Sequence, residues 1–138
     1  MDLHNFQASQ VLLARAIDHA QQNYQRAISI ALCDTSGLLL AFARAGNAPL
    51  RTIAIAQGKA YTSSRMGSST TEFLARLRRE NLDINHFCDV ALTALPGGSV
   101  LHDTSGAVIG GVGISGLAPA EDQAVADMVA DLAARGAL

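Results

Sequence analysis

Residues 108–116 read Val-Ile-Gly-Gly-Val-Gly-Ile-Ser-Gly, and the reading of this stretch decides the fold. Gly111, Gly113 and Gly116 have the spacing of a dinucleotide-binding fingerprint, in which glycines let a pyrophosphate approach the start of a helix. That fingerprint works only inside a strand–helix–strand unit whose second strand brings an acid to the ribose. After Gly116 the chain shows one helical stretch, from about Ala120 to Arg135, and no strand beyond it. The expectation is a ligand-facing strand and turn, not a nucleotide fold. Glycines within a strand mark a surface that a helix, another backbone or a flat ligand approaches closely. For Gly111 and Gly113, helix packing and ligand contact both stay open.

Outward from this stretch, the elements come in hairpins. Ala27 to Cys33 and Leu38 to Arg44 are short apolar runs joined by Asp34-Thr-Ser-Gly37, a turn that begins on Asp and ends on Gly. Val90 to Leu95, Ser99 to His102 and Ala107 to Ser115 read as three further strands, separated by Pro96-Gly-Gly98 and a second Asp-Thr-Ser-Gly turn at 103–106. The repeated tetrapeptide reads as a shared hairpin solution, because its surroundings differ. Leu13, Ile17, Ala20 and Tyr24 give a helical stripe over Phe6 to Asn23. Ile53, Ala56, Ala60 and Ser63 or Ser64 give a small-residue helix face over Thr52 to Met66. Ser69-Thr-Thr-Glu72 has the spacing of a capping box before a helix from Thr70 to Arg79. Hairpins instead of strand–helix–strand alternation predict an α+β fold, an antiparallel sheet of five strands covered by helices, in a single domain spanning 1–138.

Composition narrows the function. Apolar residues make up 49% of 138 residues, enough for one core, while charged residues make up only 16% against roughly 25% in an average soluble protein. A surface so poor in charge is consistent with subunit contacts. The net charge of -2 supplies no basic face for nucleic acid, and no apolar stretch approaches the roughly 20 residues that span a bilayer. Two cysteines, Cys33 and Cys88, are too few for a disulfide scaffold or a zinc site and read as reduced cytosolic thiols. An acid and a histidine at the start of the chain do not suit a secretion signal. Glu121 and Asp122 are adjacent, so on a helix they diverge by about 100° and form no proton-sharing pair. They suit the first turn of a helix dipole.

Several blocks in order, Ser29-Ile-Ala-Leu-Cys-Asp34 with Gly37, Leu40-Ala-Phe-Ala-Arg44, Ile55-Ala-Gln-Gly-Lys-Ala-Tyr-Thr62, Val108 to Gly116 and Glu121-Asp-Gln123, together resemble the GlcG/HbpS-like family. The family includes haem-binding sensor proteins, the C-terminal domain of PduO-type corrinoid adenosyltransferases and proteins associated with glycolate or diol metabolism. The resemblance implies a profilin-like, five-stranded antiparallel fold that assembles into homo-oligomers. The chain departs from the family at Leu95-Pro-Gly-Gly98, where proline stands on the other side of the glycines, and at Arg44-Ala-Gly-Asn-Ala48, which lacks the usual acid and Met.

The leading expectation is a small cytoplasmic ligand-binding protein that takes haem or a related tetrapyrrole as cofactor, without a metal site of its own. The resemblance carries an iron-ligand role onto Thr62, and the family's use of an N-terminal histidine makes His19 the other axial candidate. Thr62 could equally hydrogen-bond a propionate or its own helix. Arg44, Lys59, Thr62, Gly111 and Gly113 are the candidate ligand contacts. Lys59 could bind a carboxylate or form a structural ion pair with Asp34 or Glu72. The alternatives are an accessory enzyme on a small organic acid, with Arg44 and Lys59 as anion contacts, or a ligand-free structural partner in a metabolic complex.

Overall fold

Four α-helices and four strands follow one another through residues 1–136, the part of the chain that the computed structural model describes: α1 (Phe6–Tyr24), β1 (Ser29–Cys33), β2 (Leu39–Arg44), α2 (Thr52–Met66), α3 (Thr70–Arg79), β3 (Gly98–His102), β4 (Val108–Ser115) and α4 (Pro119–Arg135). The strands form one antiparallel sheet in the order β2-β1-β4-β3. Several helix ends have a local cause. Asn5 accepts a hydrogen bond from the Ala8 amide to start α1, Ser69 accepts one from Glu72 to start α3, and Gly67 and Gly136 close α2 and α4 in the left-handed region.

The two hairpins are built alike. In each, the Asp side chain accepts from the amides two and four residues on: Asp34 from Ser36 and Leu38, Asp103 from Ser105 and Ala107. Each turn ends on a glycine with positive φ, +86° at Gly37 and +87° at Gly106. Each is followed by a bulge, at Leu40 and at Ile109, and both bulged residues turn toward the main core. The repeated tetrapeptide thus carries a repeated geometry three residues deeper than the turn itself.

Alternation along the strands sends Ile30, Leu32, Leu101, Val112 and Ile114 to one face, where they meet Leu12 and Ala16 of α1 and Val125 and Val129 of α4. Burial of side chains of this size stabilises by about 1.5–3 kcal/mol each, so this layer is the main source of cohesion. The other face is made of small groups. Ala31, Cys33, Gly111 and Gly113 lie under Ala56 and Ala60 of α2, with Phe42 alongside. A Cβ at Gly111 would stand 2.6 Å from the Ala60 carbonyl oxygen, and one at Gly113 would overlap the Ala56 carbonyl. Helix α2 therefore rests on strand backbone.

Among the described residues the sheet has four strands, not the five expected. Val90 to Leu95 stays outside it, with Val90 and Ala91 in a turn and Val90 fully exposed. Its amides are met by side chains in place of a ladder: Ala91 by Asp89, Thr93 by Thr62, and Leu95 by Thr93. The β-prone composition of this stretch was real, but among the described residues no strand pairs with it.

Gly113→Ala is expected to lower stability by at least about 2 kcal/mol, because its Cβ has nowhere to go without lifting α2. Gly58→Ala, in α2 but with the Thr93 methyl 3.4 Å and the Ala91 carbonyl oxygen 3.6 Å away, both ordinary contacts, should cost nothing and gain up to about 1 kcal/mol in helix propensity. Denaturant unfolding of the two variants beside the parent checks both.

Candidate functional site

Because α2 lies so close to β4, its Lys59 is carried into the interior. Only 2% of Lys59 is exposed, and its Nζ donates to the Ile114 carbonyl at 2.7 Å and to Asp122 Oδ2 at 2.9 Å. The second carboxylate oxygen of Asp122 accepts from the Leu117 amide at 3.0 Å, which fixes the entry into α4. Burial pushes the Lys59 ammonium down and the Asp122 carboxyl up, and each charge opposes the shift of the other. Beside this pair, Gln123 accepts from the Gly97 amide and the Thr71 hydroxyl, and donates to the Gly98 carbonyl, Ser99 and Asp127. The Lys59–Asp122 pair and this network bind α4 to the end of the sheet opposite the hairpin turns.

On its other flank α2 forms one wall of an apolar groove of about 580 Å³. Leu38 and Leu39 of the first hairpin, Ile53 and Tyr61 of α2, and Val90 line it, and the Cys33 thiol lies at its floor. Gly37 lets the hairpin turn lie against the Tyr61 ring, where a Cβ would come within 2.7 Å. The Tyr61 hydroxyl donates to Asp89 Oδ2 at 2.6 Å. That bond raises the phenol above its ordinary value and lowers the carboxyl. Arg65 stands over the same ring, 5.2 Å from its centre. The Cys33 thiol donates to the Ala60 carbonyl, and burial pushes it up to about 11.

The family model for haem-degrading, HbpS-like proteins matches residues 5–131. The chain belongs to the HbpS-like family. A crystal structure of a PduOC–haem complex is 25% identical, with a TM-score of 0.76 over 88% of this chain and 89% of the other. A double mutant of HbpS from Streptomyces reticuli is 23% identical, with a TM-score of 0.82 over 96% and 86%. The protein ORFY of Klebsiella pneumoniae is 22% identical, with a TM-score of 0.80 over 95% and 90%. No curated protein sequence matches.

Within this HbpS-like frame the residues singled out from sequence are dispersed. Lys59 and Thr62 both lie on α2 but serve different neighbours. Lys59 pairs with Asp122, not with Asp34, which is spent on its turn, nor with Glu72, which is exposed. Thr62 is buried and donates to the Gly58 carbonyl at 2.7 Å while accepting from the Thr93 amide at 2.9 Å. Gly111 and Gly113 are covered by α2, so the close helix accounts for both. Arg44 is exposed at the end of β2 and lines neither the groove nor the Lys59 cavity. His19 lies on α1, on the face of the sheet away from α2, in a shallow cleft with Arg15, Gln22 and Arg135. Among the described residues no cluster of three or more His, Cys, Asp or Glu could hold a metal ion, and no helix is long and apolar enough to cross a membrane.

Sequence reasoning missed two residues that shape the surroundings of α2. Asp122 read as a helix-dipole acid, and its separation from Lys59 by 63 positions hid the pairing. Tyr61 passed as part of a family block, although its neighbour Gly58 already marked a helix face open to close approach.

Lys59→Met is expected to destabilise the protein by about 3–5 kcal/mol, since Asp122 is left buried without its partner. The double variant Lys59→Met/Asp122→Leu should cost clearly less than the two single changes summed, as measured by denaturant unfolding. A second check concerns the thiols. Near pH 8, iodoacetamide should modify the exposed Cys88 in the native protein and spare Cys33 until the chain is unfolded, as read by mass spectrometry.

Proposed function

We propose that the protein binds haem or a related tetrapyrrole in the apolar groove between α2 and the first hairpin. The observation that carries this reading is the likeness to the PduOC–haem complex over most of both chains, met here by a groove of suitable character. Its volume of about 580 Å³ falls within the roughly 300–1,000 Å³ of small-molecule sites. Leu38 and Leu39 stand 65% and 50% exposed at its edge, together with the uncovered Val90. A flat, largely apolar macrocycle would cover all three, and its burial would release the water they now order.

The lining fits such a group by packing more than by ligation. Among the described residues no histidine lines the groove. The Cys33 thiol keeps its proton to about pH 11 and points at the Ala60 carbonyl. Tyr61 is the lining side chain whose oxygen can meet an iron, a role that tyrosine fills in some haem proteins. Thr62 is fully buried, is not part of the groove's lining, and its hydroxyl is held by the Gly58 carbonyl and the Thr93 amide. Haem, when bound, supplies redox and oxygen chemistry, while the protein supplies orientation, apolar cover and hydrogen bonds.

Titration with hemin should shift the Soret band at one equivalent per chain. Val90→Glu and Leu38→Glu, both at exposed positions, should weaken binding at least tenfold, whereas Leu50→Glu, exposed but outside the groove, should not. A parent protein without a Soret shift, or equal affinity in all three variants, would sink the proposal.

A further inference from the structure

On the flank of α2 opposite the groove, a notch of about 270 Å³ opens onto the Lys59–Asp122 pair. Arg26 and Arg51 line it and also line an adjoining cavity of about 470 Å³, so the two spaces share a cationic wall. Among the described residues neither arginine has an ion pair or a side-chain hydrogen bond. Among the described residues the one acid lining either space is Asp122, and Lys59 already neutralises it. The Lys59 ammonium has three protons and two acceptors, Ile114 and Asp122, so one donor of a side chain only 3% exposed is unassigned beside the cavity. The first turn of α2, at the rim, carries no acid and no side-chain cap. Between Arg51 and Lys59 on the same stripe of α2 stands Ile55, which with Leu95 and Pro96 gives the notch an apolar wall.

We infer that this notch is a binding site for a carboxylate, with Arg26 and Arg51 as the clamp and Lys59 at its floor. Two guanidinium forks match the planar, two-oxygen geometry of a carboxylate better than a single ammonium does. The apolar wall accepts the short carbon chain of the same molecule. The acid-binding role expected of Arg44 is thereby assigned to two arginines that sequence reading did not single out, while Lys59 keeps its place. The carboxylate could belong to a free small acid or to the propionate of a tetrapyrrole seated on this flank of α2 in place of the groove, and the test separates these.

Isothermal titration with succinate and with acetate should show one site per chain. Arg26→Gln and Arg51→Gln should each weaken it at least tenfold and together abolish it, while Arg78→Gln on α3 should leave it unchanged. Hemin and its dimethyl ester form the second arm. If the clamp holds propionates, the double variant loses affinity for hemin but not for the ester. If it holds a separate acid, succinate binds equally with hemin present. Carboxylate binding that survives the double variant, or that chloride or phosphate reproduces at the same concentration, would overturn the inference. So would the absence of carboxylate binding in both arms. The succinate arm needs no haem, so it stands or falls apart from the groove.

Discussion

The closeness of α2 to β4 is the constraint on which the rest of the structure depends. It exists because Gly111 and Gly113 leave strand backbone bare exactly where the Ala56 and Ala60 turns come down. A helix at ordinary distance from a sheet is held by a layer of large side chains. Here such a layer is present on the α1 and α4 face and absent on the α2 face. Lowering α2 has two results at once. Its Lys59 is drawn under the surface and must find an acid, and its outer flank sinks below the hairpin rim, which leaves a groove.

The buried pair belongs to this geometry. Taking a lysine and an aspartate out of water costs several kcal/mol per charge, and their attraction offsets that cost only when the remaining polar atoms are also bonded. Asp122 meets that condition through the Leu117 amide, and no buried side-chain polar atom among the described residues lacks a partner. The pair ties α2 to α4 across the end of the sheet. It thus joins α4 directly to the helix that borders both the groove and the notch.

Most element boundaries were legible because local chemistry sets them: the two Asp-Thr-Ser-Gly turns, the Ser69 cap and the glycines at 67 and 136 act within a few residues of themselves. Val90 to Leu95 was misread because β propensity describes a residue and not the presence of a neighbouring strand. The pocket was less legible. Periodicity could not tell whether a helix or a ligand filled the space over Gly113, and nothing near Lys59 in sequence announces Asp122. Arg26 and Arg51 stand alone in the chain, one after α1 and one before α2, and only folding brings them to the same wall.

The strand order has a kinetic side. β1 pairs with β2 and β3 with β4 across short turns, and both hairpins can form locally. The central pair of the sheet is β1 with β4, Ser29 to Cys33 against Gly111 to Ser115, so the two hairpins meet only after the long segment that contains α2 and α3 has been closed into a loop. Closure entropy falls on that one docking step. Before it, the bare glycine backbone of β4 has no helix over it, and the alanine face of α2 has only Ala31 and Cys33 of β1 to rest on.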